Sequence, residues 1–282
     1  MTAVWQAPHL HLYIYSTFFE NVLTSVAKRL EGKVALITGG ASGFGECTAK
    51  LFARRGARVV VADIQDDKGR ALCDSLGPDT ASYVHCDVTK ESDLASAVDD
   101  AVARHGKLDV MFSNAGTAFA LKSLPDCEVD DFQRLMSVNV TGVFLAIKHA
   151  ARVMSPARRG SIVITGSTAS TVAGIVPHAY ACSKHAVVGL MRSAAAELGR
   201  HGVRVNCVSP YGVATPLTMA AFALDKEALE AMFERSANLK GVRLGAEDVA
   251  EAVAYLAGDE SRYVSGVNLL LDGGYTVVKE LP

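Results

Sequence analysis

The sequence lacks the features that mark several large classes of protein. No apolar run approaches the ~20 residues that a helix needs to cross a bilayer, so we expect no membrane span. Basic residues are not in surplus: 28 Lys and Arg stand against 30 Asp and Glu, for a formal charge of −2. A nucleic-acid partner would need positive charge, so none is expected. Half of the 282 residues are hydrophobic and 21% are charged, which excludes intrinsic disorder.

Cysteine is present but forms no recognisable framework. The six cysteines contain no CxxC pair, and none has a histidine at metal-finger spacing. We therefore expect reduced thiols, no metal site and a reducing compartment, taken as the cytoplasm. Because the count is even, disulfide pairing stays open as the alternative.

Residues 1–28 form an extension of different character. It is rich in aromatic residues and has no basic residue before Lys28. A secretory signal would begin with positive charge, and a transit peptide would carry arginines. We interpret this segment as a tail, a packing arm or a start-site artefact, whose order the sequence leaves open, ahead of one domain over 29–282.

From Lys33 onward, short apolar runs alternate with longer amphipathic stretches. The strand candidates are 34–38, 57–62, 82–86, 108–113, 161–165, 204–208 and 267–271. The helix candidates are 46–55, 65–76, 92–105, 129–154, 180–198 and 247–257. This alternation predicts a single-domain α/β fold of Rossmann type: a doubly wound parallel sheet of about seven strands with helices on both faces. Residues 215–245 interrupt this alternation, which predicts a helical insertion or a substrate lid near the carboxyl edge of the sheet.

A glycine-rich turn follows the first predicted strand. In TGGASGFG at 38–45, Gly39, Gly43 and Gly45 have TGxxxGxG spacing. Glycine lets the backbone turn tightly and approach a phosphate, which the amino terminus of the next helix binds through its unpaired N–H groups. Glycines also serve ordinary turns, but this position between a strand and a helix indicates dinucleotide binding.

Asp63 ends the second predicted strand, 18 residues beyond Gly45. A carboxylate at this place can accept hydrogen bonds from the adenosine ribose hydroxyls, and it would repel a 2′-phosphate. NAD is therefore favoured over NADP. The alternative is that Asp63 only caps a helix at the strand end.

A second group of residues indicates acid–base chemistry. Tyr180 and Lys184 are four residues apart in a predicted helix, so they share one face. A nearby ammonium would favour the phenolate and lower the pKa of Tyr180, which makes a tuned acid–base group. YxxxK alone is common by chance, but Ser167 follows a predicted strand, where α/β sheets place chemistry. Asn139, a mediocre helix former, lies inside a predicted helix; the alternative for it is a satisfied structural amide.

These motifs stand in the order found in short-chain dehydrogenases/reductases, and the sequence resembles that family over residues 30–276. The stretches that carry the resemblance are 38–45, Asn114-Ala115-Gly116, Asn139, Ser167, Tyr180-x-x-x-Lys184 and 210–215. Finer stretches, such as YVHCDVT at 83–89 and YVSG at 263–266, resemble the plant NAD-dependent subgroup of secoisolariciresinol dehydrogenase, momilactone A synthase and borneol or xanthoxin dehydrogenases.

The resemblance implies a role for each site residue. Tyr180 would be the base in alcohol oxidation and the acid in ketone reduction. Lys184 would lower the Tyr180 pKa and hold the nicotinamide ribose, Ser167 would orient the substrate oxygen, and Asn139 would support a proton-relay water. The cofactor site would consist of Gly39, Ser42, Gly43, Phe44, Gly45, Asp63, Ile64, Asp87, Val88, Asn114, Ala115, Gly116, Tyr180, Lys184, Pro210, Val213 and Thr215. The family further implies a homotetramer or homodimer and no need for a metal.

A substrate pocket is predicted at the other end of the site. It includes Ser167, Thr168 and Tyr211, together with Met219 and Phe222 of the segment 215–245. Tyr211 stands where the family usually has glycine. The stretch between Ser167 and Tyr180 is apolar, with Ala169, Val172, Ile175 and Val176.

The hypothesis is an oxidoreductase that transfers a hydride between NAD and a hydrophobic secondary alcohol or ketone, such as a terpenoid-, steroid- or phenolic-like specialised metabolite. Two alternatives remain open: an NADPH-type ketone reductase with similar substrates, and a non-catalytic cofactor-binding protein.

Overall fold

The computed structural model describes residues 28–174 and 176–278. Residues 1–27, which make up nearly all of the predicted extension, lie outside the described residues. So does Ile175, which was predicted to line the apolar stretch before Tyr180.

Seven short strands form one parallel sheet. They are β1 (Val34–Thr38), β2 (Arg58–Asp63), β3 (Ala81–His85), β4 (Val110–Ser113), β5 (Gly160–Thr165), β6 (Val203–Pro210) and β7 (Asn268–Leu271). Their order is β3-β2-β1-β4-β5-β6-β7, and every neighbouring pair is parallel. The predicted doubly wound fold is confirmed, because the runs of β-branched and other apolar residues are buried between two helical layers.

Helices cover both faces of the sheet. They are α1 (Gly43–Arg54), α2 (Asp66–Leu76), α3 (Glu91–His105), α4 (Val129–Met136), α5 (Gly142–Ala157), α6 (His178–Leu198), α7 (Pro216–Phe222), α8 (Lys226–Ser236) and α9 (Ala246–Ala257). Side chains alternate between the faces of a strand. In β1, Leu36 therefore joins the core under α3, α5 and α6, whereas Ala35 and Ile37 join the core under α1, α2 and α9.

The predicted helix over 129–154 is wrong in one respect. A π-helical segment, Ser137–Thr141, separates α4 from α5, and the second helix continues to Ala157. A π turn is wider than an α turn and often occurs at functional sites. Asn139 lies at its centre with 1% of its surface exposed. Hydrophobic spacing does not reveal such a turn, because the pattern on either side of it is that of an ordinary helix.

Residues 215–245 carry α7 and α8 and no strand. Each helix is capped by a side chain at its start. Thr215 Oγ1 accepts a hydrogen bond from Thr218 N (3.3 Å), and Asp225 Oδ1 accepts one from Ala228 N (2.8 Å). Local capping thus defines both helices of this segment.

All six cysteines are free thiols. Burial raises the pKa of Cys73 to about 11 and that of Cys86 and Cys207 to about 12, so these three thiols stay protonated at neutral pH. Across residues 28–174 and 176–278, no helix has the length and apolar character of a membrane span.

Candidate active site

The carboxyl ends of the strands border a cavity of about 760 Å³. It lies where β1 has β2 on one side and β4 on the other, the switch point at which open α/β sheets bind ligands. The predicted site residues that line it are Gly39, Ser42, Gly43, Phe44, Asp63, Ile64, Asp87, Val88, Asn114, Ala115, Gly116, Ser167, Thr168, Tyr180, Lys184, Pro210, Tyr211, Val213, Thr215 and Phe222.

Three predicted site residues do not line this cavity. Gly45 lies inside α1 beneath the glycine loop, and Asn139 is buried behind the wall. Met219 is a correction to the predicted substrate pocket. The residues of α7 that line the cavity are Pro216, Leu217, Thr218, Ala221 and Phe222, and Met219 is not among them.

The backbone of the glycine loop fits the phosphates of a dinucleotide. Gly39 and Gly43 have positive φ angles of 62° and 55°, which residues with a Cβ rarely adopt. A Cβ at Gly39 would also lie 2.8 Å from Ala115 Cα. Ser42 precedes α1 and makes no side-chain cap to it, so the first N–H groups of the helix remain for an anion.

Gly45→Ala is expected to disrupt this loop. Its Cβ would lie 2.1 Å from the Gly39 carbonyl oxygen and 2.8 Å from Gly40 Cα, and neither backbone atom can move without opening the turn. We expect a loss of about 1–3 kcal/mol or more in the free energy of unfolding, and at least about tenfold weaker dinucleotide binding.

Gly189→Ala is the matched control for this prediction. Gly189 is also inside a helix, α6, but a Cβ added there would have no other atom within 4 Å. This change should stabilise the protein by up to about 1 kcal/mol. Urea unfolding and fluorescence titration with NADH measure both effects, and equal stability of the two variants would contradict the packing argument.

Asn114 connects the glycine loop to two other strand ends. Its Nδ2 donates to the carbonyl oxygens of Thr38 (3.2 Å) and Gly39 (3.1 Å), and its Oδ1 accepts from Thr165 Oγ1 (3.0 Å). Thr38 Oγ1 accepts from the backbone N–H of Asn114 (3.0 Å). Neither Thr38 nor Thr165 was predicted as a site residue. The signal that could have identified them is a hydroxyl side chain at the end of an apolar strand.

Lys184 is joined to the same network. Its Nζ donates to the Thr165 carbonyl oxygen (2.8 Å), and only 5% of the residue is exposed. Burial lowers the pKa of Lys184 to about 8, because the charged form is poorly solvated there. Thr165 and Asn114 thus link this lysine to the backbone of the glycine loop.

The pKa of Tyr180 departs from the sequence prediction. Burial disfavours the phenolate and raises the pKa of Tyr180, and hydrogen bonding from Ser167 only partly opposes this. Lys184 Nζ lies 5.4 Å from the centroid of the tyrosine ring, over the ring and not against the hydroxyl. Desolvation therefore sets the direction of the Tyr180 pKa shift in this structure, opposite to the predicted lowering.

Ser167 is held by residues that no sequence motif revealed. Its N–H donates to Ser209 Oγ (3.1 Å), and its own Oγ accepts from Ala169 N (3.1 Å). Ser209 Oγ in turn donates to Asn268 Oδ1 (2.6 Å). A Cβ at Gly166 would lie 2.2 Å from Ser209 Oγ, so β5 and β6 pack closely at the point that orients Ser167.

Asn139 positions the turn of helix that carries Tyr180. Its Oδ1 accepts from Thr117 N (2.8 Å), and its Nδ2 donates to the Thr117 carbonyl (2.9 Å) and to Ser183 Oγ (3.2 Å). Ser183 Oγ donates to the Tyr180 carbonyl (2.8 Å). Both amide donors are thus engaged, as in a structural amide, and the relay role of Asn139 stays a prediction.

Asp63 joins the end of β2 to the glycine loop. Its Oδ2 accepts from Ala41 N (2.9 Å), and its Oδ1 accepts from Gln65 N (2.9 Å) and Gln65 Nε2 (3.3 Å). A carboxylate has about four acceptor sites, so capacity for a ligand hydroxyl remains. The N-cap residue of α2 is Gln65, so a helix cap does not account for Asp63.

Comparison with known proteins identifies the family. The profile described as enoyl-(acyl carrier protein) reductase matches residues 39–276. The chain belongs to the short-chain dehydrogenase/reductase family. This membership confirms the resemblance and makes the protein an oxidoreductase.

Its relatives within the family include plant enzymes. Momilactone A synthase of Oryza sativa subsp. japonica is 61% identical over 254 residues, or 89% of this chain and 93% of the relative. Borneol dehydrogenase, mitochondrial, of Lavandula x intermedia is 55% identical and covers 91% and 95% of the two chains. Secoisolariciresinol dehydrogenase of Forsythia intermedia is 54% identical and covers 91% and 94%. These relatives confirm the resemblance to the plant subgroup.

Solved structures of the family share this fold. The 3-ketoacyl-(acyl-carrier-protein) reductase from Brucella melitensis, complexed with NADH, superposes with a TM-score of 0.81 at 33% identity. The match covers 88% of this chain and 99% of that one.

Proposed function

We propose that this protein is an NAD-dependent alcohol dehydrogenase that transfers a hydride between NAD and a hydrophobic secondary alcohol or ketone. One observation carries the proposal: Ser167, Tyr180 and Lys184 line the same cavity as the glycine loop, beside an apolar wall. The named substrates of two relatives, borneol and secoisolariciresinol, support a terpenoid-, steroid- or phenolic-like compound.

The residues of this chain would divide the chemistry between them. In oxidation the Tyr180 phenolate accepts the hydroxyl proton of the alcohol, and in reduction the phenol returns a proton to the ketone oxygen. Ser167 donates a hydrogen bond to that oxygen and orients it. The Lys184 ammonium favours the phenolate. A nicotinamide dinucleotide bound in the cavity supplies the hydride acceptor or donor.

The substrate end of the cavity is apolar. The residues that form this wall are Phe119, Val176, Phe222, Met232 and Phe233. A pocket of this composition excludes water from the reacting groups and buries the rings of an apolar alcohol.

Borneol is expected to be a much better substrate than 2-propanol. Both are secondary alcohols, so the chemical step is the same and the comparison isolates burial in the apolar wall. Borneol buries on the order of 150 Å² more apolar surface, which at ~25 cal/mol per Å² gives about 10²–10³-fold in kcat/KM. Initial rates of NAD reduction with the two alcohols test this, and comparable kcat/KM values would contradict the proposed substrate class.

The preference for NAD over NADP is supported by charge at the adenosine end. Where the ends of β2 and β3 border the cavity, the charged side chains lining it are both carboxylates, Asp63 and Asp87. The other charged residues that line it, in the part of the chain that the structure describes, are Arg134 and Lys184. A 2′-phosphate beside Asp63 would meet a like charge.

Asp63→Asn is expected to weaken this preference. The amide keeps the size of the side chain but removes its charge, so the ratio of kcat/KM for NAD to that for NADP should fall by about tenfold or more. Asp87→Asn is the control, because it removes one negative charge from the same end of the cavity but is not the carboxylate expected at the ribose hydroxyls; its ratio should change less. A wild-type protein that prefers NADP would overturn the assignment.

We also propose a homotetramer or homodimer in the cytoplasm. Exposed apolar side chains on α4 and α5, namely Val129, Phe132 and Phe144, support a protein interface there. Six free thiols support a reducing compartment. Since one relative is named as mitochondrial, cell fractionation distinguishes the two locations.

A further inference from the structure

A second cavity of about 400 Å³ lies beside the first. Tyr211, Gly212 and Phe233 line both cavities, and we call these three residues the partition. The partition stands at the apolar, substrate end of the first cavity, because Phe222 and Met232 line that cavity next to it.

The ring of Phe233 forms the middle of the partition. A Cβ at Gly212 would lie 2.2 Å from Phe233 Cδ1, so the ring rests directly on the backbone there. Tyr211 packs edge-on against Phe233 with centroids 5.9 Å apart, and Phe222 does so at 6.0 Å. Tyr211 is also held by Tyr275, at 4.5 Å. Phe233 projects from α8, so its side chain closes the boundary against Tyr211 and the Gly212 backbone.

The interior of the second cavity suits an uncharged apolar group. Its apolar lining includes Ala214, Ala237, Leu244, Leu270 and Leu271. These residues offer contact area to a hydrocarbon ring and no hydrogen-bonding side chain.

The charged residues of the second cavity are already paired. Arg243 bonds Glu234 at 2.6 Å and Glu230 at 3.2 Å. Asp248 accepts from Gly245 N (2.8 Å), and Asp272 accepts from Thr276 Oγ1 (2.6 Å). Acidic groups outnumber the single arginine, so an anionic ligand would be repelled.

We propose that Phe233 sets the upper size limit of the substrate. Its ring separates the two cavities, so an alcohol must fit on the near side of the partition. A smaller side chain at this position joins the second cavity to the first and admits the distal rings of a larger, uncharged alcohol. This inference rests on the proposed function, and it adds the residue that determines substrate size.

The test compares a small and a large alcohol in four proteins. Borneol and the tetracyclic alcohol androsterone are assayed with NAD in the wild type, Phe233→Ala, Phe233→Leu and Leu244→Ala. The ratio of kcat/KM for androsterone to that for borneol should rise by about tenfold or more in Phe233→Ala, and by less in Phe233→Leu. Leu244→Ala is the matched control, because Leu244 lines the second cavity and not the first; its truncation enlarges the second cavity but leaves the partition in place, so its ratio should stay within about threefold of the wild type.

An unchanged ratio in Phe233→Ala, or an equal rise in Leu244→Ala, would overturn the proposal. If Phe233→Ala fails to fold, Phe233→Leu, which keeps most of the apolar volume, decides in the same way. If no protein oxidises either alcohol, the proposed function fails separately. Calorimetric titration with androsterone then tests the partition alone. Binding that is at least about tenfold tighter in Phe233→Ala alone would support the role of Phe233, and any other result would overturn it.

Discussion

Tyr180→Phe should lower kcat for alcohol oxidation by about 10²–10⁴-fold. Phenylalanine keeps the ring beside Lys184 but removes the oxygen that exchanges the proton. The packing of α6 is unaffected, so the dissociation constant for NADH should stay within about threefold. Steady-state kinetics and fluorescence titration measure the two quantities.

The pH profile gives an independent check on the same residue. Because burial raises the pKa of Tyr180, the phenolate fraction grows with pH, so wild-type oxidation should accelerate on the alkaline side. Ketone reduction needs the phenol and should show the opposite trend. Tyr263→Phe is the control, since Tyr263 is fully exposed (101%). Retention of wild-type kcat by Tyr180→Phe would remove this residue from the mechanism.

Lys184→Met should stabilise the cofactor-free protein at neutral pH, and it should lower the rate of alcohol oxidation. Lys184 is almost fully buried and its pKa is about 8, against about 10.4 in an unfolded chain. At about 1.4 kcal/mol per pKa unit, the penalty for burying the charge is about 3 kcal/mol. Methionine removes this penalty, but it loses the bond to the Thr165 carbonyl, which costs about 1–2 kcal/mol.

The sign of the pH dependence follows from these two pKa values. Between about pH 8 and pH 10.4 the unfolded chain still binds the lysine proton and the folded protein has released it. The contribution of Lys184 to the free energy of unfolding of the wild type therefore rises with pH. Below about pH 8 the full penalty applies. The advantage of Lys184→Met should therefore be greatest at pH 7 and should shrink toward alkaline pH.

Urea unfolding of both proteins across this pH range measures the difference in free energy. Lys226→Met is the control, because its side chain is 71% exposed and its removal should leave the pH dependence unchanged. A Lys184→Met protein less stable than the wild type at pH 7 would show that the fold stabilises the charge of Lys184, contrary to this prediction.

Local patterns predicted most of the sheet and the main motifs. Each strand boundary was found within two residues, because runs such as 34–38 and 57–62 are apolar, β-branched and bounded by turns. The glycine loop and the YxxxK pair could also be predicted, because their chemistry depends on the spacing of their residues along the chain.

Features that depend on tertiary contacts were not predictable. At the π turn, the amide of Asn139 bonds Thr117 and Ser183, which are far away in sequence. The raised pKa of Tyr180 arises from its burial in the folded protein, and the set of α7 residues that line the cavity depends on how that helix packs. Ser209 was missed because its role lies in contacts to β5 and β7 and not in any motif.

The formation of ketone from borneol by the wild-type protein tests the central claim most directly. The protein is incubated with borneol and NAD, or with borneol and NADP, and ketone and reduced cofactor are both quantified. We predict equimolar ketone and NADH, a much lower rate with NADP, and no ketone above background with Tyr180→Phe. NADH binding without ketone from borneol or any larger apolar alcohol would contradict the account and leave a cofactor-binding protein without this activity.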